Sequence, residues 1–186
     1  SPDTLEYLSV ADIPCVVLHA PHRKTADPDW WRNYKAKAIC DLRQISGGRI
    51  VCIENMISFQ DYVVPLIDPA EMLAFCEEAD VYCTIDTTHF AQVGVDIAGA
   101  AAILKSRVGS LHLSDYLHPI SHVYLGEGQL DFISFFRALD LDRLYLTTIE
   151  CSIPLKDESV AVQKAARAMA FVREMLPRKD GTICSN

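Results

Sequence analysis

Five short apolar runs, each closing on a polar residue able to do chemistry, constrain this chain more than any other feature. They are Cys15–Ala20, Arg49–Glu54, Val81–Asp86, Ser110–Leu113 and Arg143–Glu150. Rich in β-branched residues and nearly continuous in apolar character, they match parallel strands buried on both faces. Helical patterns separate them. Asp27-Pro28 opens a stripe of Trp31, Tyr34, Ala38, Leu42 and Ile45 that Ser46-Gly47-Gly48 stops. Asp68-Pro69 opens a second helix, with Glu71 placed as in a capping box. Asp96 caps a third through Arg107, with Gly109 beyond it as terminator, and Asp131 opens a phenylalanine-rich fourth. Val162, Ala165, Met169, Val172 and Leu176 mark a last amphipathic helix, and Pro177–Asn186 reads as a loose tail. Strand and helix alternating in this way predict an α/β fold with a parallel sheet.

The polar residues at the strand ends are His19, Glu54, Asp86 with His89, His112 with Asp115, and Glu150. Counted from His19, successive spacings are 35, 32, 26 and 38 residues (54 − 19, 86 − 54, 112 − 86, 150 − 112). A (β/α)8 barrel allots about 31 residues to each unit and builds its active site at the C-terminal strand ends. The last spacing leaves room for a short extra strand near His122–Leu125. Two glutamates, one aspartate and one histidine offer the mixed oxygen and nitrogen donors that suit Mn²⁺, Mg²⁺, Co²⁺ or Zn²⁺.

Six fragments in order carry a resemblance: His19-Ala20-Pro21, Ile53-Glu54-Asn55-Met56, Ile85-Asp86-Thr87-Thr88-His89, Leu111-His112-Leu113-Ser114-Asp115, His122-Val123-Tyr124-Leu125-Gly126-Glu127-Gly128 and Ile149-Glu150-Cys151. Together they resemble the xylose-isomerase-like TIM-barrel superfamily of sugar and sugar-phosphate isomerases and epimerases, related dehydratases and endonuclease IV. The resemblance implies that Glu54, Asp86, His112 and Glu150 hold one divalent metal. It implies that His89 and His122 contact substrate or extra metals, and it matches His19 to a histidine ending the third barrel strand. On that numbering residues 1–186 form a single TIM-barrel domain, about strands three to eight, incomplete at the N-terminus. Two open parallel edges would be an aggregation hazard, so an N-terminal segment or another chain, a homo-oligomer included, is expected to close the barrel.

The expected activity is a divalent-metal-dependent isomerase or epimerase of a small sugar, sugar phosphate or hydroxy-ketone. The metal polarises the carbonyl and stabilises an enediolate, while Glu54 and Glu150 transfer the proton as the catalytic pair. His19, His89 and His122 are the expected substrate-binding residues. Three alternatives share the framework: a dehydratase, an endonuclease IV-like zinc phosphodiesterase and a non-catalytic sugar-binding barrel. The nuclease reading is weakened by Ile120, where that family has an aspartate two residues before the histidine matched by His122. The net charge of −8, from 17 basic and 25 acidic residues, also opposes binding held mainly by phosphate contacts.

Remaining features read as structure. Seven cysteines without a C-x-x-C pair are expected to be reduced structural thiols in a cytoplasmic protein. Ser1-Pro2-Asp3 lacks the basic and apolar regions of a signal peptide and carries no methionine, so cleavage or engineering upstream is expected. No apolar run approaches a membrane span, and the net charge is acidic, so neither membrane nor nucleic acid is an expected partner. Gly126-Glu127-Gly128 reads as a tight loop in preference to a phosphate cradle. Cys151 is expected to point away from the site by strand alternation. Trp30, Trp31 and Phe132–Phe136 are expected in helix packing, and Lys35 and Lys37 on a solvated face. His22 and His118 read as loop residues, while Asp115 either orients a neighbour or caps a loop.

Overall fold

The computed structural model describes residues 13–46, 48–152 and 158–176. Its centre is a sheet of five parallel strands. In chain order the elements are β1 (Cys15–His19), β2 (Arg23–Lys24), α1 (Trp30–Ser46), β3 (Ile50–Glu54), β4 (Tyr62–Val63), α2 (Pro69–Ala79), β5 (Tyr82–Asp86), α3 (Thr87–Gln92), α4 (Ile97–Leu104), β6 (Val108–Leu113), β7 (Asp115–Leu117), β8 (Ile120–Val123), α5 (Phe132–Ala138), a 3₁₀ turn (Leu141–Arg143), β9 (Leu146–Ile149) and α6 (Glu158–Met175). Strands run β1-β3-β5-β6-β9 across the sheet, and every neighbouring pair is parallel. This is an α/β half-barrel.

The extra barrel strand expected near His122–Leu125 is absent from this sheet. Residues Ile120–Val123 instead pair antiparallel with Asp115–Leu117 in a separate hairpin, and β6 lies directly against β9. The long spacing between His112 and Glu150 is therefore spent on an excursion above the strand ends. Among the described residues, β1 and β9 each have one neighbour.

Local chemistry explains the helices. Asp68 accepts from the amides of Ala70 and Glu71, both at 2.9 Å, satisfying donors that the helix itself leaves unpaired. Glu71 does not close a capping box; its Oε1 accepts from Trp31 Nε1 at 3.1 Å, tying α2 to α1. Asp96 and Asp131 cap through Gly99 N at 2.7 Å and Ser134 N at 3.0 Å. Asp68→Ala should cost about 1 kcal/mol, read as a lower urea midpoint with unchanged slope; an unchanged midpoint would show the cap to be redundant.

The core lies between the sheet and α1, α2, α4 and α5, where Phe75, Phe90, Phe135, Ile85 and Leu111 are wholly buried. Trp31 packs on Phe75, and the Phe132–Phe135–Phe136 rings pack on one another, as expected of helix contacts. Lys37 pairs with Asp41 along α1, while Lys35 reaches Glu78 on α2 at 2.7 Å.

Two expectations shift. The helix expected through Arg107 ends at Leu104, and Gly109 lies inside β6, where a Cβ would meet Tyr82 Cβ at 2.9 Å and Cys52 Sγ at 3.0 Å. On α6, Val162 and Met169 are exposed at 69% and 49%, whereas Ala168 is buried. The packed face is set by Phe171, which meets Phe132 at a 5.5 Å ring distance. The expected stop residue Gly47 and the tail at 177–186 lie outside the described residues. No helix among the described residues is long and apolar enough to cross a membrane.

Candidate metal centre

Register alone carries the strand-end residues to one face. His19 stands opposite Glu54, Glu54 opposite Thr84, Asp86 opposite His112, and His112 opposite Thr148. Residues two apart on a strand share a face, so Asp86 joins Thr84 and Glu150 joins Thr148. The five strands thus bring His19, Glu54, Asp86, His112 and Glu150 together.

Glu54 sits at the centre of the cluster and is 3% exposed. Its carboxylate oxygens lie 3.3 Å from His89 Nδ1, 3.4 Å from His112 Nδ1 and 3.7 Å from His19 Nε2. Burial pushes its pKa up, but the facing imidazoles of His112 and His89 outweigh burial and hold it at about 2. For the two histidines burial acts downward and the facing carboxylates act upward, with Glu54 foremost; the upward effect wins in both.

Asp86 divides its two oxygens between two tasks. Oδ1 accepts from His89 N at 2.8 Å and caps the short helix α3. Oδ2 is buried without a hydrogen-bond partner, and burial raises the carboxyl pKa against the lowering effect of His89 and His122. His112 Nδ1 is likewise buried without a well-aligned hydrogen bond, although Glu54 and Glu150 flank it at 3.4 and 3.2 Å.

Glu54, Asp86 and His112 each offer a ligand atom within 4.8 Å of the others. Asp86, His89 and His122 form a second such group, with Asp86 shared. Glu150 belongs to neither group but touches the first through His112. His19, whose side chain is 62% exposed, stands at the rim. A buried Asp86 oxygen without a hydrogen-bond partner, next to the His112 imidazole and the Glu54 carboxylate, fits a divalent cation.

One buried neighbour of the cluster went unassigned in the sequence. Asn55 is fully buried, donates to Asp86 O at 3.1 Å and accepts from Asp86 N at 2.7 Å, locking the ends of β3 and β5 together. Its place immediately after a strand-end acid was the available signal. His89 Nδ1 also donates to the Asn55 carbonyl at 2.9 Å.

Other candidates fall outside. Both glycine amides of the Gly126-Glu127-Gly128 loop donate to Asp115 Oδ2, at 3.1 and 3.0 Å, so they are engaged by the chain's own carboxylate. Cys151 lines a cavity of about 130 Å³ with Tyr124, Ile149 and Lys164, and burial pushes its thiol pKa up. His22 and His118 are exposed, the first against Phe59 and Tyr62, the second against Tyr116. The cysteines at 15, 40, 52, 76, 83 and 151 are free thiols.

A parallel α/β half-barrel with acids and imidazoles converging at its C-terminal strand ends defines a class of TIM-barrel proteins. The family model for the xylose isomerase-like TIM barrel matches residues 3–175, and the chain belongs to that family. No curated protein sequence matches it. Among solved structures it resembles D-allulose 3-epimerase from Methylomonas sp., with a TM-score of 0.73 at 20% identity over 92% of this chain and 66% of that one. It also resembles D-psicose 3-epimerase, solved with D-tagatose, from Clostridium cellulolyticum H10, with a TM-score of 0.73 at 19% identity over 94% and 68%. The IOLI protein with a binding zinc atom gives a TM-score of 0.75 at 14% identity over 95% and 69%. At such identities the likeness establishes the fold. The chain spans 66% of the length of the first of these epimerases.

Proposed function

We propose that the chain is the metal-binding part of a divalent-metal-dependent isomerase or epimerase acting on a small sugar or hydroxy-ketone. The observation that carries this is the convergence of Glu54, Asp86 and His112 within 4.8 Å, with Asp86 Oδ2 buried and unpartnered. Support comes from family membership and from structural neighbours described as sugar 3-epimerases or as holding zinc. Glu54, Asp86, His112 and Glu150 would hold the cation, which when bound supplies Lewis acidity to substrate oxygens.

The chain's own residues supply the proton transfer. Glu54 and Glu150 approach His112 Nδ1 from different strands, at 3.4 and 3.2 Å. Carboxylates flanking a planar enediolate can act on its two faces, one removing the proton beside the carbonyl and the other returning one. That gives epimerisation or carbonyl migration. Asn55 fixes the Asp86 backbone, and the Asn55 carbonyl and Glu54 hold the His89 ring beside the cluster.

Metal addition tests the reading. After chelator treatment and dialysis, Mn²⁺ or Zn²⁺ at about 100 times its Kd should stabilise the fold by about 2.7 kcal/mol. For a chain of this size that is roughly 5–10 °C in Tm. An unchanged Tm together with no bound metal by plasma mass spectrometry would overturn the metal site.

A further inference from the structure

The hydrogen bonds behind His122 run in one direction. Nδ1 lies 3.1 Å from Ser114 Oγ and 3.2 Å from the Glu150 carbonyl oxygen. Ser114 Oγ lies 2.7 Å from Thr88 Oγ1, which in turn lies 3.1 Å from the Asp115 carbonyl oxygen. Thr88 and Ser114 are fully buried. A carbonyl oxygen only accepts, and each hydroxyl has one proton to give. Thr88 therefore donates to Asp115 O, Ser114 donates to Thr88, and the proton between Ser114 and His122 belongs to Nδ1. Reversing the chain would set a bare Nδ1 against the Glu150 carbonyl. It would also leave either the short Thr88–Ser114 contact without a proton or Asp115 O without this donor.

We infer that Thr88 and Ser114 are positioning residues that hold His122 in the tautomer protonated on Nδ1, leaving Nε2 as the lone pair it offers beside Asp86 and His89. His89 is held the same way, its Nδ1 proton directed to the Asn55 carbonyl. Any part His122 plays in catalysis rests on the isomerase reading above; the tautomer does not.

Long-range ¹H–¹⁵N spectra of histidine-labelled protein, at a pH where the rings are neutral and without added metal, read the tautomer directly. The His122 signals are assigned by their loss in His122→Gln. Nδ1 should fall in the protonated range and Nε2 in the unprotonated range. Thr88→Val keeps the side-chain shape but removes the acceptor for Ser114, freeing its proton to turn toward Nδ1. The population should then shift toward the Nε2-protonated form. Ser114→Ala leaves the Glu150 carbonyl as acceptor and should retain Nδ1–H. A wild-type ring protonated on Nε2 overturns the inference, and this arm needs no folded variant. An unchanged tautomer in folded Thr88→Val overturns the role of the hydroxyl chain. Because no metal is present, failure here is separate from failure of the thermal-shift test.

Discussion

Exchanging Glu150 for glutamine should slow proton exchange between solvent and a ketose substrate by roughly 10²–10⁴-fold, the range expected when a positioned acid–base group is lost. The substitution keeps size and shape and removes the charge. Because the Glu150 side chain is 37% exposed, the amide can be solvated, and the thermal midpoint should stay close to wild type. Glu54→Gln should differ. Its carboxylate is 4% exposed and faces three histidines, so losing the charge should lower both turnover and stability. Deuterium incorporation from D₂O into a panel of ketoses, followed by NMR, measures the first effect; thermal melts measure the second. Wild-type exchange by Glu150→Gln would remove that residue from the chemistry. Sugar binding without exchange in the wild type, unaltered by Glu150→Gln, would favour a binding barrel.

The candidate site was legible because strand ends are legible. An apolar run closing on Glu54, Asp86 or His112 needs no knowledge of pairing; parallel register then does the convergence. Asn55 and the Thr88–Ser114 pair were hidden for the opposite reason. Their partners lie 31 and 26 residues away, and no periodicity marks a hydrogen bond across strands. Asp86 shows how one residue can satisfy two readings. The carboxylate has two oxygens: one caps α3 and the other is left free for a ligand role.

The fold was less legible wherever tertiary contacts override local pattern. Ile120–Val123 has the alternation of a strand and is a strand, but its pairing partner decides which sheet it joins. Gly109 looks like a helix terminator in one dimension. In three it is the position where β6 approaches Tyr82 and Cys52 too closely for a side chain. On α6 the expected stripe through Val162 and Met169 is exposed, and Phe171 sets the packed face by its contact with Phe132.

Asp115→Ala should be among the most destabilising single changes outside the apolar core. Its carboxylate is 2% exposed and accepts from four backbone amides: Tyr116 at 2.8 Å, Gly126 at 3.1 Å, Gly128 at 3.0 Å and Leu130 at 3.1 Å. Of the two roles open in the sequence, the loop-organising one is present. A charge-assisted hydrogen bond contributes about 1.5–3 kcal/mol, and an orphaned buried donor costs about 1–3 kcal/mol. The four share one acceptor and do not add, so a loss of about 3 kcal/mol is expected, roughly 6–12 °C in Tm. Asp115→Asn should recover little. Whichever way the amide is turned, its NH₂ faces amide donors: Gly126 and Gly128 on one side, Tyr116 and Leu130 on the other. Gly128→Ala attacks the same contact from the loop, since a Cβ there would lie 2.2 Å from Asp115 Oδ1 and 2.6 Å from Tyr116 O. Urea melts of the three variants decide the matter. Asp115→Asn melting with the wild type would mean that the loop holds its shape without the carboxylate. Equal losses in all three would show that one buried charge shapes the excursion between β6 and β9, and with it the hairpin that carries His122 to the site.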